Sequence, residues 1–297
     1  MCGVFGFDKK TNATQFMTPA LALFMEMRGH QSWGVTNGTE IYKRPSSIQE
    51  TFEEQGFEPS LYHTRAASVG EVSEANAHPF QSIVGTCRVT GVHNGHISNH
   101  SDLDKKYSRD FAVDSMHIFQ HLAEGKDVAE IDGWGAVVWT ENRTDRPGIA
   151  PKIYFSRFNT PDLHICKLDT KEGELVWAST KHAIEVALKF AGLHPKFFYK
   201  IEERIKYCIN AEGLLEQLGP MNWSKNITHT ATGSCGYDLG SRFTPLPGRE
   251  VYSGWICAMP HCTRTIDVRD WLLCKQCFAE SFDQFVELES VATAGAC

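Results

Sequence analysis

Cysteine at position 2, between Met1 and Gly3, is the residue in this chain best placed to act as a nucleophile. A methionine preceding so small a residue is normally removed, which leaves a thiol and a free α-amine on one residue. Such an amine has a pKa of about 8 and accepts a thiol proton near neutrality, so nucleophile and base come together. Gly3 behind it lets the backbone turn and approach its neighbours without a Cβ.

A second group of chemistry-bearing residues lies at the other end. Cys257-x4-Cys262 and Cys274-x2-Cys277 are two close pairs separated by eleven residues. Four thiolates arranged in this way complete the tetrahedral shell of a structural zinc ion, with His261 able to replace one thiol; iron in a four-thiolate shell has the same requirements. Three basic against six acidic residues after position 250 weigh against a nucleic-acid-binding ribbon and favour folding of the C-terminal arm or docking of a partner. Of the other cysteines, Cys87, Cys166 and Cys208 read as single buried thiols, while Cys235 and Cys297 have no partner at a recognisable spacing.

The elements that must position these groups follow from periodicity. A strand opens the chain over 1–7, and Thr18-Pro19 reads as the cap and first turn of a helix running to Met27. Further helices are expected near 101–107, 115–124 and 181–191, the last two stopped by Gly125 and Gly192. Strands are expected at 84–92, 135–140, 151–156, 163–168 and 174–178. Strand-rich stretches with grouped helices predict an α+β chain of stacked sheets covered by helices. Periodicity weakens after 215: 216–250 reads as a linker or extended arm and 251–297 as a small four-cysteine module with a tail.

Composition bounds the rest. The 297 residues carry a net charge of −7 and 42% hydrophobic residues, ordinary for a soluble globular protein and unfavourable for nucleic-acid or anionic-membrane surfaces. No stretch reaches the roughly eighteen consecutive apolar residues of a membrane span, and no signal peptide is visible, so a cytoplasmic location is expected.

Five ordered motifs give Cys2 a context: Met-Cys-Gly-Val-Phe-Gly, Arg-Gly-His-Gln-Ser-Trp-Gly (28–34), His-Thr-Arg-Ala-Ala-Ser-Val-Gly (63–70), Asn-Ala-His-Pro-Phe (76–80) and His-Asn-Gly-His-Ile-Ser-Asn-His (93–100). Together with Glu-Leu-Val-Trp-Ala-Ser-Thr-Lys-His-Ala-Ile at 174–184, they resemble the class II glutamine amidotransferases, nearest to the glutaminase domain of glucosamine-phosphate synthase, over residues 2–215. The resemblance implies the four-layer αββα sandwich of N-terminal-nucleophile hydrolases. It also implies hydrolysis of glutamine to glutamate and ammonia through a γ-glutamyl thioester on Cys2.

By the same resemblance Asn94 and the N–H of Gly95 form an oxyanion hole, the fixed donors that a tetrahedral intermediate needs. An Asn-Gly hairpin turn is the structural alternative for that pair. Arg65 takes the position of the carboxylate-binding arginine, its planar fork suited to bidentate pairing, with a surface ion pair as the alternative. Asp114 takes that of the aspartate that holds the substrate amine, or caps a helix. Arg28, Ser68 and His78 stand at supporting positions of the substrate site. The chain departs from the family at Ala66 and Val69, where tryptophan and histidine are common; the tryptophan is associated with closing the site over glutamine and coupling it to the ammonia acceptor. The chain has no room for the sugar-phosphate isomerase portion of the synthase. A separate synthetase or ligase is therefore the expected taker of ammonia, and no organic cofactor is expected. Two other readings remain: a stand-alone amidohydrolase acting on a γ-glutamyl or other amide, and a catalytically inactive zinc-bearing scaffold.

Overall fold

The computed structural model describes residues 2–226, apart from 53–55, 146–150, 160 and 211. In chain order the elements are β1 (Gly3–Phe7), α1 (Asn12–Glu26), β2 (Ser32–Thr36), β3 (Ile41–Arg44), α2 (Ile48–Thr51), β4 (Ser60–Arg65), β5 (Phe80–Val84), β6 (Cys87–Ile97), α3 (His100–Tyr107) and α4 (Met116–Glu124). They continue with β7 (Gly133–Arg143), β8 (Lys152–Phe158), β9 (His164–Leu168), β10 (Leu175–Ala178), α5 (Lys181–Phe190), β11 (Pro195–Lys200), β12 (Ile205–Ile209) and β13 (Leu215–Pro220).

The strands form two antiparallel sheets. One has seven strands in the order β11-β9-β10-β1-β4-β2-β3, and the other six in the order β13-β12-β8-β7-β6-β5. Their inner faces share one core, with Val4, Leu61, Ile165 and Trp177 of the first sheet against Val92, Val138 and Phe155 of the second. The outer face of the second sheet carries another core, in which Val89, Val137 and Trp139 meet Leu103, Ile118 and Phe119 from α3 and α4. On the far side α1 and α5 pack on each other and on the first sheet, burying Met17, Leu21, Ile184 and Ala187. Two sheets, each with one face on its partner and one under helices, need apolar side chains on both sides of their central strands. The fully buried run Gly3–Phe7 reflects this.

The local chemistry differs from the sequence expectation at one helix. α1 begins at Asn12, not beside Pro19, because Thr11 and Thr14 form a reciprocal capping box: the Thr11 hydroxyl accepts from Thr14 N at 3.3 Å, and Thr14 Oγ1 accepts from Thr11 N at 2.9 Å. Thr18 lies within the helix and donates its hydroxyl to the Thr14 carbonyl at 2.8 Å, one turn back. Gly125 ends α4 in the left-handed conformation, φ +65°, as its position predicts.

Residues 216–226, read from sequence as the start of a linker, belong to the sandwich. β13 pairs with β12, and Trp223 is buried, stacked on Phe158 at 4.1 Å with its indole N–H donating to Ser156 Oγ at 2.9 Å. The Gly-Pro pair at 219–220 ends an edge strand, where missing ladder bonds cost least. No helix among the described residues is long and apolar enough to cross a membrane.

Candidate active site

β1 lies at the centre of the first sheet between β10 and β4, and its register with β4 pairs Gly3 with Thr64. Strand alternation turns Val4 into the inter-sheet core, and it turns Leu61, His63 and Arg65 of β4 to the same side. Cys2, one step beyond Gly3, meets the end of β4. The Ala66 N–H approaches its Sγ at 3.4 Å, and the thiol faces the Ala66 carbonyl at 3.6 Å. Glycine is obligatory at position 3, since a Cβ there would lie 2.6 Å from Thr64 Oγ1 and 2.7 Å from Met25 Cβ. Arg28, just past α1, donates Nε to the Cys2 carbonyl at 3.0 Å. This bond ties Arg28 to the backbone of the candidate nucleophile.

Burial is the largest influence on the Cys2 thiol and pushes its pKa above the usual value. The Ala66 amide and the Arg65 guanidinium pull it down, and the Asp114 carboxylate adds to the rise. Arg65 and Asp114 are thus close enough to Cys2 for their charges to bear on its ionisation.

Arg65 is 2% exposed. Its guanidinium is aimed along the loop that follows β4, donating to the Glu71 carbonyl at 3.0 Å and to the Val69 carbonyl. These bonds use two of five N–H groups and fix the plane of the fork. No surface ion pair is needed to explain the residue. Ser68, exposed in that loop, lies beside the same turn.

Asn94 and Gly95 lie inside β6, paired with Ala136 and Gly135 of β7, and make no hairpin turn. Asn94 shares its face of the strand with Val92, toward the first sheet, and its Nδ2 donates to Ser179 Oγ at 3.3 Å. That serine oxygen also accepts the Val4 N–H at 2.9 Å. The Asn94 amide therefore stands two hydrogen bonds from Val4 of β1, the strand that follows Cys2. Gly95 is required for space: a Cβ would lie 2.1 Å from the Trp134 carbonyl oxygen and 2.4 Å from His93 Nε2.

Asp114 precedes α4, yet it does not cap the helix. Its Oδ2 accepts the Ile97 N–H at 2.7 Å and lies 3.4 Å from His96 Nδ1, and its Oδ1 receives the Ser115 hydroxyl at 3.4 Å. Burial alone would raise its pKa, but the His96 hydrogen bond, the charge of His93 and the Ile97 amide outweigh it and hold the carboxyl below its usual value. The group stays ionised in a buried position.

His78, expected at a supporting position of the substrate site, is buried. It is 3% exposed, its ring 4.0 Å from that of His63 and 4.4 Å from that of Phe80, and burial holds it well below the usual histidine pKa. A neutral ring in this stack supports the end of β4 from the core. His63, also buried and neutral, holds the His93 carbonyl through Nε2 at 3.1 Å, and His93 Nδ1 meets Ser115 Oγ at 2.8 Å. Sequence reasoning did not single out Ser179, His63 or His96. Ser179 carried a signal, a hydroxyl closing an otherwise apolar strand; His96 carried one in its place two residues beyond Asn94.

Among the described residues no group of three or more histidine, cysteine or acidic side chains is arranged to hold a metal ion. Cys257, Cys262, Cys274 and Cys277 lie outside the described residues.

No family model matches the chain. Over 123 residues it is 34% identical to a glutamine–fructose-6-phosphate aminotransferase (isomerizing) of Bacillus spizizenii, a match covering 39% of this chain and 20% of that protein. The match thus spans about a fifth of the length of that curated relative. Among solved structures, the allosteric regulatory enzyme of purine biosynthesis superposes with a TM-score of 0.55 at 18% identity, covering 76% of this chain and 50% of the other. The glutamine phosphoribosylpyrophosphate amidotransferase of B. subtilis gives 0.53 at 17% identity, with the same coverage. The chain is thus similar in sequence, over part of its length, to the aminotransferase, and it shares its fold with the purine-biosynthesis enzyme and the phosphoribosylpyrophosphate amidotransferase.

Proposed function

We propose that this domain hydrolyses glutamine to glutamate and ammonia, with the Cys2 thiol as nucleophile after removal of Met1. The observation that carries this reading is the gathering of Cys2, Arg65, Asn94 and Asp114 at one end of the sandwich, with Cys2 Sγ against the Ala66 amide and Asn94 tied to β1 through Ser179.

The α-amine of Cys2 takes the thiol proton, and the thiolate sulfur attacks the side-chain carbonyl carbon of glutamine. Negative charge moves to the carbonyl oxygen, where the Asn94 amide and the Gly95 N–H stabilise it. The intermediate collapses as the C–N bond breaks; the leaving nitrogen takes the proton held by the amine and departs as ammonia. Water then gives a proton to the amine while its oxygen attacks the γ-glutamyl thioester. The C–S bond breaks, glutamate leaves and the thiol is restored. Arg65 pairs with the substrate carboxylate and Asp114 with its ammonium, which selects a free amino acid. Ammonia passes to a separate acceptor enzyme, and the four C-terminal cysteines hold a structural zinc. Ala66 in place of a bulky aromatic implies a closing device different from that of the synthase.

Glutamate release by wild type beside Cys2→Ala tests the reading. Processed wild type is expected to release glutamate from glutamine and Cys2→Ala at least 1,000-fold less, on the order of what loss of an essential nucleophile costs. Equal rates, or none in wild type with an intact-mass spectrum showing Met1 removed, would overturn it. Faster cleavage of larger γ-glutamyl amides than of glutamine would favour the stand-alone amidohydrolase.

A further inference from the structure

His96 has no role in the reaction as written, yet it stands at the site on two independent grounds. It lies two residues beyond Asn94 on β6 and so shares that residue's face of the strand. Its Nδ1 is 3.4 Å from Asp114 Oδ2, while its own side chain is 31% exposed and Asp114's only 5%. The buried carboxylate therefore faces solvent partly through a titratable ring.

We propose that His96 is a positioning residue that governs how much of the Asp114 charge is available to the α-ammonium of the substrate. The inference rests on the glutaminase reading above. A neutral His96 leaves the carboxylate uncompensated, and an imidazolium neutralises it before the substrate arrives. The ammonium and the imidazolium compete for one carboxylate, so binding of one opposes the other by the same factor.

The surrounding groups leave this competition in place. The Ile97 N–H and the Ser115 hydroxyl bind Asp114 without changing charge. His93, the nearest other histidine on β6, is buried and held down to about 4, so it stays neutral above that pH. His100 approaches from α3, its ring 6.4 Å from that of His96. Arg65 is a fixed charge, and Trp134, paired with His96 on β7, brings none. The hydrogen bond to Asp114 raises the His96 pKa above its usual value, with partial burial opposing, which moves the transition toward neutrality.

The test uses the full chain as Cys2→Ala, so that glutamine binds without turnover. Calorimetric Kd for glutamine between pH 5.5 and 8 is expected to weaken threefold to tenfold toward the acid end. Adding His96→Gln, which keeps a hydrogen-bonding side chain that does not titrate, should flatten that profile. The His96 pKa followed by NMR should fall when glutamine is added. Glutamine binding with an unmoved His96 pKa, or an unchanged acid weakening in His96→Gln, overturns the proposal and leaves the glutaminase reading intact. Failure of glutamine to bind at any pH, with no hydrolysis by processed wild type, overturns both.

Discussion

Asn94 of the second sheet and Ser179 at the end of β10 in the first are hydrogen-bonded across the sandwich at 3.3 Å. The same Ser179 oxygen accepts the buried Val4 N–H at 2.9 Å. One hydroxyl thus fixes the amide of the proposed oxyanion donor relative to the strand that carries Cys2. Ser179→Ala leaves Val4 N–H without this partner and is expected to cost about 1–3 kcal/mol of stability. Asn94 would also lose its tether, and glutamate release should fall about tenfold in kcat, less than the 10²–10³ expected for removing an oxyanion donor outright. Denaturant unfolding with steady-state kinetics checks both; an unchanged kcat would separate Asn94 from the chemistry.

Gly95 makes a sharper test, because its requirement is steric. A methyl group there would meet the Trp134 carbonyl at 2.1 Å, and backbone oxygens within a ladder cannot give way cheaply. Gly95→Ala is expected to destabilise the domain by about 3 kcal/mol or more, with β6 displaced from β7. A thermal shift within 2 °C of wild type would show that the strands accommodate the methyl.

These two residues also illustrate what sequence reveals and what it hides. Asn94-Gly95 was legible because the motif around it is long; its place inside a strand was not, since Asn-Gly alone signals a turn and only the pairing with Ala136 and Gly135 decides otherwise. The stacked-sheet class followed from apolar runs bounded by glycine and polar turns, and the observed sheets match it. The start of α1 was missed because a Thr-x-x-Thr box is a weaker signal than Thr-Pro, and the edge strand β13 because periodicity weakens after 215. Arg65 and Asp114 stand out by motif, whereas the signals at His96 and Ser179 do not reveal the bonds to Asp114 and Asn94 that the fold brings about. His78 shows the converse: a motif histidine that packs in the core.

Asp8 gives a stability prediction with a definite sign. Burial, the largest influence, raises its carboxyl from 3.8 to about 6, against the Leu175 N–H that donates to it at 2.7 Å. A carboxyl with a raised folded pKa holds its proton more tightly when folded than when unfolded, so stability falls as pH rises from about 4 to about 6 and stays reduced above. Asp8→Asn keeps an oxygen for Leu175 and removes the charge. It should gain on the order of 1–2 kcal/mol at pH 7.5 and nothing at pH 3.5. Urea unfolding at the two pH values decides it; an equal gain at both would locate the effect elsewhere than in ionisation.

The cysteine pairs at 257–262 and 274–277 lead to a metal prediction that rests on their spacing. Purified full chain is expected to contain about one zinc ion, since four thiolates fill a structural shell. Cys274→Ser with Cys277→Ser should bring zinc close to zero while leaving glutamate release within about twofold. Undiminished zinc in that variant would exclude the four-thiolate site, and iron in place of zinc would reassign it.

The Cys2 thiol supplies the last test, because its environment pulls in opposite directions. Burial raises its pKa above the ordinary value, while the Ala66 N–H and Arg65 favour the thiolate. With Met1 in place the net shift is upward and the thiol holds its proton at neutral pH; the same burial acts once Met1 is removed, so a base must take the proton during attack. Alkylation of Cys2 by iodoacetamide, followed by peptide mass spectrometry, should rise with pH through a midpoint above that of a free cysteine, about 8.5. Glutamate release should rise instead through a lower midpoint near that of an α-amine, about 8, because the amine is the group that must be unprotonated to accept the thiol proton. A separation of the two midpoints would identify the base as a group other than the thiol itself. Coincident midpoints would mean that a preformed thiolate carries the reaction, and the α-amine would lose its assigned part.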